Sequence, residues 1–155
     1  MREFYSTLVN TVMSNTQDFF GQPIVHGIAT GPALISKKAI SFLGDLNITT
    51  GEVTGELSDL LGKKISKTIL VVPSTRGSAG AWRFIYQLKQ FNNHPAAIIT
   101  TELPDPSVVQ GAILAKIPII SNLADILSNA VLNNVTLSVN GKLGKVSVVN
   151  DKNNT

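Results

Sequence analysis

A parallel βαβαβ second half behind a β-rich first half is the α/β fold class this sequence predicts, and three features predict it. "KTILVVP", "PAAIITT" and "IPIIS" are apolar runs short enough to be buried strands. Between them stand two stretches of helical character, "SAGAWRFIYQLKQF" and "DPSVVQGAILAK". Ahead of them, from Gly21 to Thr68, the apolar runs are shorter and are cut by glycine, proline and asparagine. Parallel strands need crossovers, and crossover helices cover both faces of the sheet, which is why its strands read as unbroken apolar runs.

Taken in order, residues 1–20 predict a helical extension with Phe4, Leu8 and Val12 on one face and Val9 and Met13 beside them. Such a helix either packs on its own domain or docks on a partner. Residues 21–150 form the domain. "PIVHGIATGPALIS" holds short β-type runs punctuated by Gly27 and Gly31-Pro32, and Gly44, Asn47 and Gly51 sit where tight turns are wanted. In the first predicted helix Ala81, Ile85 and Leu88 share a face, and Pro106 stands where the second would start. "NLADILSNAV" follows as a last helical stretch, then "VTLSVNGKLGKVSVV" reads as a hairpin turning at Asn140-Gly141. Residues 151–155 are a polar, frayed tail. A chain of 155 residues with this pattern is one compact β/β/α domain.

Composition removes several function classes. Charged residues make up only 15% of the chain, which argues against disorder and points to an exterior partly covered by a partner. The net charge of +3 is scattered, and Lys63, Lys64 and Lys67 are the close basic grouping, too small for a nucleic-acid footprint. With no cysteine, the chain forms no disulfide and holds no thiolate-bound metal or iron–sulfur cluster by itself. His26 and His94 are too far apart to form a metal motif, and His26, on a β-type run, reads as structural. No apolar run approaches the roughly 20 residues that span a membrane. "MREFYSTLVNTVMSNTQDFF" lacks the apolar centre of a secretory signal, so the expected location is cytoplasmic.

The stretch "VVPSTRGSAGAW", residues 71–82, is the first candidate for chemistry. It joins a strand to a helix, as phosphate-cradling loops do, but it has neither the Walker lysine nor Gly-x-Gly-x-x-Gly nor Gly-x-Ser-x-Gly. What it offers is Ser74, Thr75, Arg76, Gly77 and Ser78, with glycine letting the backbone approach closely. Ser74 or Ser78 can cap the helix, a role worth about 1 kcal/mol. A base is a larger demand. Each unit of pKa depression needs about 1.4 kcal/mol, and a helix terminus supplies about 0.3–2. Ser78 as a base therefore needs help from Arg76, a neighbouring site, or a metal-bound substrate from elsewhere.

Several pieces, in order and spacing, carry a resemblance. They are Ile40-Ser41-Phe42-Leu43-Gly44, Thr50-Gly51, Pro73 with Arg76-Gly77-Ser78, Ala97-Ile98-Ile99, Gly111-Ala112 and Ile117-Pro118. From Gly27 to Ile120 the chain resembles the aconitase X swivel-domain family, which serves iron–sulfur dehydratases of mevalonate 5-phosphate and of cis-3-hydroxy-L-proline. The resemblance implies a small swivelling β/β/α domain that works as the small subunit of a hydro-lyase, capping a large cysteine-bearing subunit with the cluster. The implied reaction is loss of water from a 3-hydroxy acid, first of all mevalonate 5-phosphate to an anhydromevalonate phosphate, or alternatively from cis-3-hydroxy-L-proline. Within it the cluster iron is the Lewis acid for the hydroxyl, and Ser78 removes the proton from the adjacent carbon. Arg76 orients an anionic group of the substrate or stabilises an alkoxide. Gly77, Thr75 and Ser74 complete the implied substrate contacts.

The chain also departs from the family. After Phe42-Leu43-Gly44 a second glycine is usual, and Asp45 stands there instead. A His-Pro-Leu-like stretch is replaced by Leu57-Ser58-Asp59-Leu60-Leu61. Loops facing a substrate at those places would change specificity, although an aspartate in a turn is also an ordinary turn former.

Two other classes compete. "HPAAIITTEL" is similar to the phosphohistidine-carrying swivelling module of phosphoenolpyruvate enzymes, with His94 as the carrier. That family precedes its histidine with Gly-Gly and Ser/Thr, whereas Phe91-Asn92-Asn93 stands here, and Pro95 holds His94 extended. A non-catalytic binding domain on the same fold is the other class. Trp82 and Phe84 read as core or interface residues.

Overall fold

The structure is a computed structural model that describes residues 17–76, 79–124, 126 and 135–149. Twelve elements follow in chain order. They are β1 (Asp18–Phe20), β2 (Gln22–Val25), β3 (Ile28–Ile35), β4 (Ile40–Ser41), β5 (Ile69–Val72), β6 (Thr75–Arg76), α1 (Ala81–Gln90), β7 (Ala97–Thr100), α2 (Pro106–Ala115), β8 (Ile119–Ser121), β9 (Thr136–Asn140) and β10 (Lys145–Val149). Helical residues recur at Ala124 and Ile126, inside the stretch read as the last helix.

Eight strands form one sheet in the order β1-β10-β9-β3-β5-β7-β8-β2. The pairs β3–β5, β5–β7 and β7–β8 are parallel, as the apolar runs predict, and the other neighbours are antiparallel. The outermost strands, β1 and β2, are consecutive in the chain and separated only by Gly21. The sheet therefore curls until its two ends meet. At that seam the Gly21 N–H donates to the Gly144 carbonyl at 2.8 Å. A Cβ on Gly21 would run into the Ser121 carbonyl and, at 2.7 Å, into Leu123 Cγ.

Curling gives the sheet an inside and an outside, and period-two alternation assigns each residue to one of them. Along β5, Ile69 and Val71 face inward, where they meet Ala97, Ile99, Ile120, Leu137, Val139 and Val146. Leu70 and Val72 face outward, against Ile85 and Leu88 of α1, Val108 and Ala112 of α2, and Phe42, Val53 and Ile65 of the β4–β5 excursion. Buried on both faces, β5 and β7 have no exposed residue.

Three expectations change. Residues 18–20, read as the end of a helix, form strand β1, paired in the register Asp18 to Ser147. Gly31-Pro32 interrupts no strand: β3 runs through it, with residues up to Pro32 pairing with β9 and residues from Ala33 pairing with β5. The hairpin turns over four residues, 141–144, rather than at Asn140-Gly141 alone. Asn140 Oδ1 accepts the Leu143 N–H at 3.1 Å, and Gly144 takes the positive φ of 69°. The rest of the proposed N-terminal helix and the C-terminal tail lie outside the described residues.

Candidate functional site

In open parallel sheets ligands sit beyond the carboxyl ends of the strands, and the turn singled out in the sequence emerges there, directly after β5. Two neighbours hold it. The Pro73 carbonyl accepts from the N–H groups of Thr101 and Glu102 beyond β7, at 3.2 and 3.0 Å. The Ser74 carbonyl accepts from Ile40 N–H at 3.2 Å, and β6 then pairs parallel with β4 in the register Ile40 to Thr75 and Ser41 to Arg76.

Thr75 is buried, and its hydroxyl is committed to Asp105 at the start of α2. It donates to Asp105 Oδ2 (3.2 Å) and accepts from the Asp105 N–H (3.1 Å). Its proton is thus used within the fold, and the residue acts as a tie between the turn and α2. Ser74 is half-buried, and its carbonyl bond to Ile40 is what it brings to the turn. Gly77 and Ser78 lie outside the described residues.

Helix α1 begins at Ala81 with Gly80 as its cap residue. The Trp82 N–H donates to Ser107 Oγ of α2 at 3.0 Å, and that hydroxyl donates to the Ala79 carbonyl at 3.0 Å. A residue 25 positions downstream caps the helix after the candidate turn. Trp82 and Phe84 are half-buried, with the Arg83 guanidinium 5.5 Å from the Trp82 ring centroid.

Beside the turn lies a cleft of about 390 Å³, lined by Lys38, Ala39, Asp45, Leu57, Ser58 and Arg76. Arg76, with its side chain 65% exposed, reaches Asp45 Oδ2 at 3.6 Å, while Asp45 is only 16% exposed. The same Asp45 oxygen accepts the Ser41 N–H at 2.9 Å, and its backbone carbonyl accepts from Thr54 and Gly55. Asp45 is consequently a fixed carboxylate beneath an exposed guanidinium. Across the cleft the Ser36–Lys38 segment is anchored by Asp59, which accepts from the Ser36 hydroxyl and, at 2.9 Å, from the Lys37 N–H. Lys38 Nζ donates to the Leu57 carbonyl at 3.0 Å.

Both departures noted in the sequence, Asp45 and the 57–61 stretch, converge on this cleft with Arg76. Lys38 was missed: the adjacent pair Lys37-Lys38 carried a signal, but only the later lysines were weighed as a group. His94 lies at the opposite end of the sheet, where its carbonyl accepts from Lys67 N–H at 2.9 Å ahead of β5. Its Nδ1 is buried without a partner among the described residues, and Nε2 is 3.4 Å from Lys89 Nζ. Burial, reinforced by Lys89 and then Lys67, holds the His94 pKa below its ordinary value of 6.5. Among the described residues no group of three His, Asp or Glu could hold a metal ion, and no helix is long and apolar enough to cross a membrane.

The family model of the aconitase X swivel domain matches residues 18–148. The chain belongs to the aconitase X swivel-domain family. This swivel domain is 38% identical over 128 residues to the phosphomevalonate dehydratase small subunit of Methanocella arvoryzae, covering 83% of this chain and 96% of that one. It is 36% identical over 129 residues to the phosphomevalonate dehydratase small subunit of Pyrococcus furiosus, covering 83% and 93%. The crystal structure of Thermococcus kodakaraensis aconitase X in its holo-form superposes with a TM-score of 0.79 at 34% identity, covering 86% of this chain and 99% of that one. The swivel-domain fold and family expected from Gly27 to Ile120 thus extend back to β1 and forward into β10.

Proposed function

We propose that this chain is the small, swivelling subunit of a dehydratase that removes water from mevalonate 5-phosphate, with Ser78 as the proton-accepting base. The observation that carries the reading is the match, over more than four-fifths of the chain, to relatives named phosphomevalonate dehydratase small subunit. It is supported by the position of the Arg76 turn at the carboxyl end of β5, beside an open cleft.

An iron–sulfur cluster does not fit on this chain, which has no cysteine and, among its described residues, no cluster of three His, Asp or Glu that could hold a metal ion. The reading gives the cluster to a large partner subunit, and the chain is active only with that partner, in the cytoplasm. A partner also accounts for the exposed apolar residues around the turn. Leu57 lines the cleft yet is 82% exposed, and Leu43, Leu61 and Leu103 stand exposed on the surrounding loops.

Within the complex this chain contributes the proton transfer and part of the substrate's orientation. Ser78 takes the proton from the carbon next to the one that loses its hydroxyl. Its environment must favour the alkoxide, and Arg76, two positions earlier in sequence and exposed, is a cation able to do so. Thr75 acts through the backbone, keeping β6 against β4 and α2.

The test is co-purification from the source cells, followed by assay of water loss from mevalonate 5-phosphate and from cis-3-hydroxy-L-proline. A larger cysteine-bearing partner and turnover of mevalonate 5-phosphate are expected, with Ser78→Ala lowering kcat by at least about 10²-fold while the complex still assembles. Turnover of the proline instead would move the substrate. A Ser78→Ala complex that keeps most of its activity would remove Ser78 from the chemistry.

A further inference from the structure

We propose that Lys38, Ser58 and Arg76 form a cradle for a phosphate monoester, with Asp45 and Asp59 as the residues that position it. The inference rests on the dehydratase reading only for the identity of the substrate; the cradle itself is drawn from the cleft. Three donor groups of different kinds line one space of about 390 Å³. Lys38 uses one of its three ammonium protons on the Leu57 carbonyl, leaving two. Among the described residues Arg76 makes one long contact, 3.6 Å to Asp45, which leaves most of its five N–H groups unclaimed by them. Ser58 Oγ accepts from the Leu60 N–H at 3.1 Å, so its proton is available to the cleft. A carboxylate has two oxygens and would leave most of these donors unmatched. A phosphate monoester has three terminal oxygens and a second charge, which suits an ammonium and a guanidinium together.

The positioning is as specific as the donors. Asp59 accepts from the Ser36 hydroxyl and from the Lys37 N–H, and Ser36 Oγ accepts the Lys38 N–H at 3.0 Å, so the backbone from which Lys38 projects is fixed. Asp45 is held by Ser41 and packed against Gly55, where even a Cβ would strike its carboxylate. Arg76 rests on that fixed carboxylate, and a phosphate can compete for it because the resting contact is long and the guanidinium itself is exposed. Two of these positions, Asp45 and Ser58, are places where the chain departs from the family pattern.

The test is direct binding of methyl phosphate, with acetate as the carboxylate control, to the complex with the large subunit, by titration calorimetry. Lys38 is exposed, so Lys38→Met leaves the fold intact. The expected result is roughly tenfold weaker methyl phosphate binding in Lys38→Met, as for loss of a charged hydrogen-bond partner, recovery in Lys38→Arg, and no change with acetate. Methyl phosphate binding equal in wild type and Lys38→Met, absent from both, or matched by acetate overturns the cradle. Failure of the dehydratase reading looks different: mevalonate 5-phosphate loses no water, while the Lys38-dependent phosphate affinity remains.

Discussion

Thr75 shows how a single hydroxyl can join two elements that meet at a site. By donating to the Asp105 carboxylate and accepting from the Asp105 N–H, it fixes the strand of the Arg76 turn to the first residue before α2. In Thr75→Val the shape is kept and both bonds are lost, leaving the part-buried Asp105 N–H unpaired. The expected cost is about 1–3 kcal/mol, read as a lowered urea midpoint at unchanged m-value, with kcat of the complex falling because Arg76 is next in the chain. Sequence could name Thr75 as part of the turn but not give its partner, since Asp105 lies 30 residues on. The same limit applies to Lys38. Its role depends on Asp59 and Leu57, and nothing in "SKKAIS" announces them. Asp45, by contrast, was visible because it breaks a glycine pattern, and the break turned out to hold the arginine.

At the scale of elements, the two helices lie close because Gly111 lets them. A Cβ there would stand 2.9 Å from the Trp82 Cα and 2.9 Å from the Ile85 Cβ, so the backbone of α2 itself meets α1. Gly111→Val would wedge them apart and strain the Ser107 bond that caps α1. Destabilisation of about 1–3 kcal/mol is expected, and a denaturation midpoint matching wild type would show that the contact gives way freely. Element type was legible where burial and period agree. The runs that became β5, β7 and β8, the Ala81–Ile85–Leu88 face and the Pro106 start all follow from local pattern. Misreadings arose where a distant partner decides. Asp18–Phe20 is a strand because β10 pairs with it.

On the scale of the whole molecule, the closed sheet separates two ends with different chemistry. The carboxyl ends of the strands carry Arg76 and the cleft, whereas the opposite end carries His94 between Lys67 and Lys89. The folded state binds a proton at His94 less readily than the unfolded chain, because burial and the two lysines oppose its charge. Below the ordinary value of 6.5 the unfolded state thus takes up more protons, and stability falls with pH. The contribution is complete above that value and is lost as pH drops through the lower, folded pKa. His94→Gln should flatten the acid side of the melting-temperature profile relative to wild type, and identical slopes between pH 5 and about 6.5 would remove His94 as the source. Fold class and the location of the turn were legible in sequence because burial writes them locally. The cleft was not, since its walls come from four separate stretches that only the folded sheet assembles.

The seam at Gly21 has one more result. Because β1 lies against β10, with Asp18 opposite Ser147, the first and last strands of the domain begin and end side by side. A domain entered and left at one place can be spliced into a longer polypeptide, or joined end to end and reopened elsewhere, with its sheet undisturbed. The same swivel unit is therefore equally suited to life as a separate chain and as a module within a longer one.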